Sequence, residues 1–367
     1  MAGNLQDYTL FHLSHIDLDG YSCQFITSLL FNEKFYYNSN YGQEIKIRLE
    51  EIFDDIKTIS LTSPIFILIT DLNLSPDEAT FLENKINTLH GRKIKILLLD
   101  HHITGKGMNE KFPWYYLDET RSATQITYEF FNEKIGFDEE LNKKLSHFVN
   151  AVNSVDIWKQ ENKDDFEYGK VAMRLVTYAK ELNRFIFKDE DIKYKHYILS
   201  QAMEIYSTIE NKPNIYLDDQ IHFIKKSFFK TNEDDTFDNL LTQKVVQLLG
   251  ENREKLTIYY KNYKGLLTYS MGNISIIGNK FLSNFPEYDF IVDVSPKGSV
   301  SFRANNKVDV SLVAKEWANG GGHRNSSGGK IKGFRENYRY SDVSKYIKNL
   351  ISIKESSTSF VLPKSLD

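Results

Sequence analysis

The chain has 367 residues, with 46 Lys and Arg against 50 Asp and Glu and a formal net charge of −4. That length can hold two domains with cores of their own, and 26% charged residues beside 41% hydrophobic ones exclude a wholly disordered chain. The acidic balance argues against a protein that coats long nucleic acid through a basic surface, but is compatible with a short fragment held by metal ions.

Cys23 is the single cysteine, so no intrachain disulfide forms and a reducing compartment is expected. The opening MAGNLQDYTLFHL lacks a basic region followed by a long apolar run, so no signal peptide is expected. Apolar runs such as 65–69 are too short to cross a bilayer, so a cytoplasmic protein without a membrane partner is expected.

In chain order, 8–13 reads as a strand, 20–34 as a helix, 35–37 as a short strand and 44–57 as a helix. Residues 64–70 form a continuous apolar run, the pattern of a strand buried on both faces. Residues 76–90 read as a helix with Ser75 as N-cap and Pro76 at its first position, closed by Gly91. His90 then falls in its last turn, where a cation suits the helix dipole. Residues 93–99 read as a second buried strand.

From 122 to about 250 the apolar spacing is helical, as in 141–159 and 168–184. Strands return at 255–260, 265–271, 288–294 and 299–303, followed by a helix at 308–318. The expected fold class is α/β. An N-terminal, mostly parallel sheet flanked by helices (1–185) is followed by a helical connector (186–252), a smaller C-terminal α+β domain (253–354) and a frayed tail (355–367).

Four segments carry chemistry. Ser14-His-Ile-Asp-Leu-Asp-Gly20 lies between strand and helix, and an extended backbone would turn His15, Asp17 and Asp19 to one side. Asp71 ends one buried strand, and Asp100, His101 and His102 end the next; in a parallel sheet, ligands bind beyond these carboxyl ends. Asp156 interrupts an apolar helical stretch and needs a partner for its charge. Imidazoles with carboxylates suit manganese, zinc or iron. The candidates His15, Asp17, Asp19, Asp71, His101 and Asp156 outnumber what one cation needs, so two divalent ions, bridged by Asp71, are expected. Trp317-Ala-Asn-Gly-Gly-Gly-His323 brings three glycines, Gly320, Gly321 and Gly322, whose amides can approach an anion, and Arg303 projects from a strand nearby in sequence.

In their order, these segments resemble the DHH phosphoesterases. Asp100-His101-His102 looks like the signature of that family, and His15-Ile-Asp17-Leu-Asp19-Gly20 like its first motif, in the spacing of RecJ-type exonucleases and oligoribonucleases (nanoRNases). Gly320-Gly-Gly-His323 and Arg303 look like its associated C-terminal domain. The resemblance implies manganese on His15, Asp17 and Asp71 and on Asp19, Asp71, His101 and Asp156. It implies that Asp100 orients the site and that His102 sits close to the substrate phosphate. It further implies that Arg303 and His323 grip a nucleotide across an interdomain cleft, with Arg121 and Ser122 as further phosphate contacts at a helix N-terminus. Ala304 stands where the family often has Ser, and Ser326 and Ser327 where it often has two alanines.

The function this implies is a manganese-dependent phosphodiesterase, cutting short RNA or DNA oligonucleotides or dinucleotides into nucleoside 5′-monophosphates. The alternatives are cyclic- or linear-dinucleotide hydrolysis, or dephosphorylation of 3′-phosphoadenosine-5′-phosphate. A homodimer is compatible with the reading. His12, His147, His196 and His222 lack metal-ligand spacing, and Cys23 is expected to pack rather than react.

Overall fold

The computed structural model describes residues 4–231 and 234–358. The chain divides into two compact units, Met1–Lys180 with Asp191–Phe228, and Glu181–Glu190 with Phe229–Asp367.

In the first unit, β1 (Thr9–His15), β2 (Lys34–Ser39), β3 (Ile65–Thr70), β4 (Ile94–Asp100) and β5 (Tyr115–Leu117) form a five-stranded sheet in the order β2-β1-β3-β4-β5. Every pairing is parallel, as the alternation of strand and helix predicts. Helices α1 (Leu18–Ser28), α2 (Gln43–Ile56), α3 (Pro76–Asn87) and α4 (Met108–Lys111) connect the strands. The unit continues with α5 (Ala123–Lys134), α6 (Glu139–Asp156), α7 (Lys163–Thr177), most of α8 (Lys188–Thr208) and most of α9 (Pro213–Phe229).

Alternate residues of the buried strands feed two cores, one per face. Phe11, Leu13, Ile65, Ile67 and Ile69 pack on one side, and Leu10, Phe66, Leu68 and Leu99 on the other. From β1 the chain goes to β2 on one side and to β3 on the other, so the strand order reverses beside β1. Beyond the carboxyl ends, that reversal leaves a crevice. Register sets Ser14 beside Thr70 and Thr70 beside Leu99, so His15, Asp71 and Asp100 emerge on one edge.

Several elements differ from their sequence expectations. The helix expected over 20–34 runs Leu18–Ser28, because β2 pairs with β1 from Lys34 onward and the chain must turn back first. The helix expected to reach 90 stops at Asn87, where Thr88 and Leu89 tighten the last turn onto Lys85 and Ile86. His90 therefore lies beyond the helix. The helix expected over 168–184 ends at Thr177. β5 is too short and too flanked by polar residues to stand out in the sequence.

In the second unit, α10 (Phe237–Glu251) and α11 (Arg253–Leu256) precede a six-stranded mixed sheet. Its strands are β6 (Thr257–Tyr260), β7 (Tyr263–Tyr269), β8 (Phe290–Val294), β9 (Ser299–Ala304), β10 (Gly321–His323) and β11 (Ser326–Lys330), in the order β10-β11-β9-β8-β7-β6. Helices α12 (Ile274–Asn284), α13 (Val310–Ala318) and α14 (Tyr340–Thr358) complete it. The excursion 181–190 is tied in by Asn183, whose amide donates to the carbonyls of Tyr269 and Ser270 at 2.8 Å. Residues 186–252 thus form no body of their own: 191–228 packs with the first unit and 229 onward with the second. Of the expected frayed tail, 355–358 continue α14, and 359–367 lie outside the described residues.

Candidate metal centre

The His15–Gly20 segment is not extended. The helix begins at Leu18, and Asp17 is its N-cap, accepting the Gly20 amide at 3.0 Å through Oδ1. This corrects the expectation that His15, Asp17 and Asp19 share one side. Asp17 turns its Oδ2 to His15 Nδ1 at 2.7 Å, whereas Asp19, two residues on, is directed to a different histidine. The Asp19 carboxylate accepts the Ala123 and Thr124 amides at 2.8 Å each, so the first turn of α5 orients it.

Gly20 makes this junction possible, because a Cβ there would lie 2.3 Å from the His15 carbonyl oxygen. Gly20→Ala should therefore push α1 off the end of β1. The expected result is a loss of about 3 kcal/mol in urea unfolding.

Asp71 follows β3 with φ of 56°, a left-handed conformation that costs a non-glycine residue and recurs at functional sites. The turn buries its carboxylate between two groups of donors. Oδ2 lies 3.6 Å from His15 Nδ1, and Oδ1 lies 3.4 Å from His101 Nε2. His101 Nε2 is also 3.4 Å from Asp156 Oδ2 and 3.7 Å from Asp19 Oδ2. Asp156 is the last residue of α6. Three clusters result, His15-Asp17-Asp71, Asp19-His101-Asp156 and Asp71-His101-His102, each with its ligand atoms within 4.8 Å of one another. All six sequence candidates come together, with Asp71 offering one oxygen to each side.

Charge is badly balanced there without a cation. Burial, then the neighbouring Asp17 and Asp19 charges, push the Asp71 carboxyl well above its ordinary range. Burial and Asp19 push Asp156 up to about 8. Burial alone would lower His15, but its bond to Asp17 and the charges of Asp17 and Asp71 outweigh it and raise it to about 10. Burial would raise Asp17, but the bond and charge of His15 together with the Gly20 amide outweigh that and lower it to about 2. Asp71 Oδ2 and Asp156 Oδ2 are buried with no hydrogen-bond partner. Orphaned carboxylate oxygens facing imidazole nitrogens are the donor set a divalent cation takes, so these residues fit such ions.

A supporting layer lies behind. Asp100 Oδ1 meets His102 Nδ1 at 2.7 Å, and the Tyr115 hydroxyl donates to Asp100 Oδ2 at 3.0 Å. His12 sits in the core, its ring nitrogens bonded to Thr27 and Thr70 hydroxyls at 2.9 and 2.8 Å, and burial holds its pKa well below the usual value. Cys23 is buried beside the Thr124 and Thr127 hydroxyls; burial pushes its thiol up, which leaves it a packing residue. Tyr41, Tyr115 and Asn153, whose Oδ1 accepts the Ser122 amide, carry no sequence signal that could have singled them out.

Arg121 and Ser122 are already engaged. Arg121 pairs with Asp118 and Glu129, and Ser122 caps α5 by accepting the Gln125 amide. The amides of Ser122, Ala123 and Thr124 at this helix start are given to Asn153 and Asp19.

In the second unit, register places Arg303, Ser326 and His323 opposite one another across β9, β11 and β10, and directly opposed side chains share a face of the sheet. Arg303 donates to the Ser275 hydroxyl at 2.5 Å, and His323 is exposed. The glycine run enters the edge strand β10. A Cβ on Gly320 would lie 2.0 Å from the Gly328 carbonyl oxygen, and Gly322 has φ of 143°. Gly321 faces open space.

Among the described residues no helix is long and apolar enough to cross a membrane. No family model matches the chain. The 3′,5′-cyclic-nucleotide phosphodiesterase of Helicobacter pylori is 43% identical over 346 residues, 94% of this chain and 99% of that protein. The crystal structure of an uncharacterized protein from Helicobacter pylori G27 superposes with a TM-score of 0.86 at 40% identity, over 94% of this chain and 99% of its own. Exonuclease RecJ bound to manganese aligns over 98% of this chain and 92% of its own at 12% identity, but a TM-score of 0.31 is too low to bear on the site. With nearly the whole length matched at such identity, the chain belongs to the family of the Helicobacter pylori 3′,5′-cyclic-nucleotide phosphodiesterase.

Proposed function

We propose that this protein is a cytoplasmic, metal-dependent phosphodiesterase of the DHH type that hydrolyses a small nucleotide phosphodiester. A 3′,5′-cyclic nucleotide is the leading substrate, because a relative sharing 43% of its residues carries that name. The observation that carries the reading is Asp71, whose two oxygens face two separate histidine–aspartate groups.

Two divalent cations, manganese on this donor set, held by His15, Asp17 and Asp71 and by Asp19, Asp71, His101 and Asp156, would supply an activated water and neutralise phosphate charge. The chain's own residues do the positioning. The α5 amides fix Asp19, and the Asp17 cap fixes the turn that carries His15. Asp100 holds the Nδ1 proton of His102 and so sets which way the ring faces the phosphate. Arg303 and His323 are the proposed nucleotide contacts of the second unit; the Arg303 guanidinium suits a phosphate and the His323 imidazole a phosphate or a base.

Short oligonucleotides are the second reading, favoured by the rung that aligns Arg303 and His323 on one face of an open sheet edge. The test is to incubate the manganese-supplemented protein with 3′,5′-cyclic mononucleotides, cyclic and linear dinucleotides, short RNA and DNA oligomers and 3′-phosphoadenosine-5′-phosphate. The expected product is a nucleoside monophosphate, with the highest kcat/KM on a cyclic mononucleotide. A highest value on linear dinucleotides or oligomers would move the assignment to the second reading. No hydrolysis of any phosphodiester would overturn both.

A further inference from the structure

Tyr41 lies in the loop between β2 and α2 and belongs to none of the motifs. Its side chain nevertheless reaches the centre. The hydroxyl is 3.0 Å from His102 Nε2 and 3.4 Å from the Asp71 carbonyl oxygen, and its ring lies 4.9 Å from that of His15. At 43% exposure, it stands on the solvent side of these groups. We propose that Tyr41 is a positioning residue for His102 in phosphodiester hydrolysis.

Asp100 accepts from Nδ1 at 2.7 Å, and the Tyr41 hydroxyl, which donates to the Asp71 carbonyl oxygen, rests against the face of the same ring, 3.0 Å from Nε2 and 3.4 Å from Nδ1. The ring is therefore held between a buried carboxylate at Nδ1 and a half-exposed phenol against its face. Tyr115 anchors the same chain from the other end through Asp100 Oδ2. A ring held only by Asp100 is free to tilt about the remaining bond, and reaction geometry tolerates little misplacement. Gly42, the next residue, has φ of 86° and is the N-cap of α2, which fixes the loop that presents Tyr41.

The inference rests on the phosphodiesterase reading for its kinetic part, but not for its spectroscopic part. In Tyr41→Phe the ring stays against His15 and only the hydroxyl is lost. The expected result is that kcat falls about tenfold on the best phosphodiester substrate, the loss of one hydrogen bond, with KM changed by less than about twofold. The Nε2 resonance of His102, followed by nitrogen-15 NMR of histidine-labelled protein, should shift, while the thermal midpoint stays at the wild-type value.

Wild-type kcat in the variant would overturn the proposal. An unmoved Nε2 resonance would overturn it as well, because any kinetic loss would then not pass through His102. If the wild-type protein hydrolyses no phosphodiester, the functional reading falls, and the resonance alone decides whether Tyr41 holds His102.

Discussion

Asp71→Asn should lower kcat/KM by about 10⁴-fold or more, the scale of removing a group on which a catalytic site depends as a unit. Asparagine is the informative choice because it tolerates the left-handed backbone at φ of 56° and keeps the volume of the side chain. What it removes is the charge shared by the two donor groups, one oxygen at 3.6 Å from His15 and the other at 3.4 Å from His101. Bound manganese, measured after gel filtration, should fall from two ions per chain to fewer than one.

Arg303→Ala, which leaves the first unit intact, should cost only roughly 10- to 100-fold, as for one charged hydrogen bond. Stability should move the other way. Burial beside Asp17, Asp19 and Asp156 makes a charge on Asp71 costly, so under EDTA the Asn variant, which cannot ionise, should melt no lower than the wild type. Near-wild-type turnover in Asp71→Asn would refute the assignment of this residue.

Chelation should stop hydrolysis, and the stability of the chelated protein should depend on pH in a defined direction. Asp156 is raised from an ordinary 3.8 to about 8, and Asp71 is raised as well. A raised carboxyl binds its proton more tightly folded than unfolded. Its contribution is full below about 3.8 and is lost as pH climbs through about 8. His15, raised from 6.5 to about 10, has the same sign, full below 6.5 and lost as pH rises through about 10. Asp17, lowered to about 2, contributes throughout this range and loses its effect only in strong acid.

The chelated protein should therefore melt progressively lower from pH 5 to 8.5. Cations bind the deprotonated carboxylates, so the melting temperature with manganese should exceed that under EDTA by a margin that widens over the same interval. Calorimetry in both conditions reads the margin directly, and Asp156→Asn should flatten it. A margin independent of pH would mean that these carboxyls do not titrate against the cation.

Much of the fold was legible in the sequence. Residues 64–70 and 93–99 read as buried strands; β3 is buried along its whole length, whereas β4, interrupted by Lys95, is fully buried only over its last three residues. The Ser75-Pro76 start of α3 could be read too, since cap chemistry is local; the structure shows the full capping box with Glu78. Helix ends were less legible. Apolar spacing continues through Leu29 and Leu30, and only the need to pair β2 with β1 turns the chain there.

The composition of the candidate metal cluster, two histidine–aspartate segments and Asp71 at strand ends and Asp156 on a helix, was set by residue type and order alone. That Asp71 takes a left-handed turn, that Asp17 caps a helix while Asp19 faces His101, and that Tyr41 reaches His102 were decided only by the tertiary structure. Residue type is a property of each position, and strand ends in a parallel sheet must share an edge. The direction of a side chain and its distance to one 30 or 60 positions away depend instead on how the loops close and the helices pack, which no local pattern encodes.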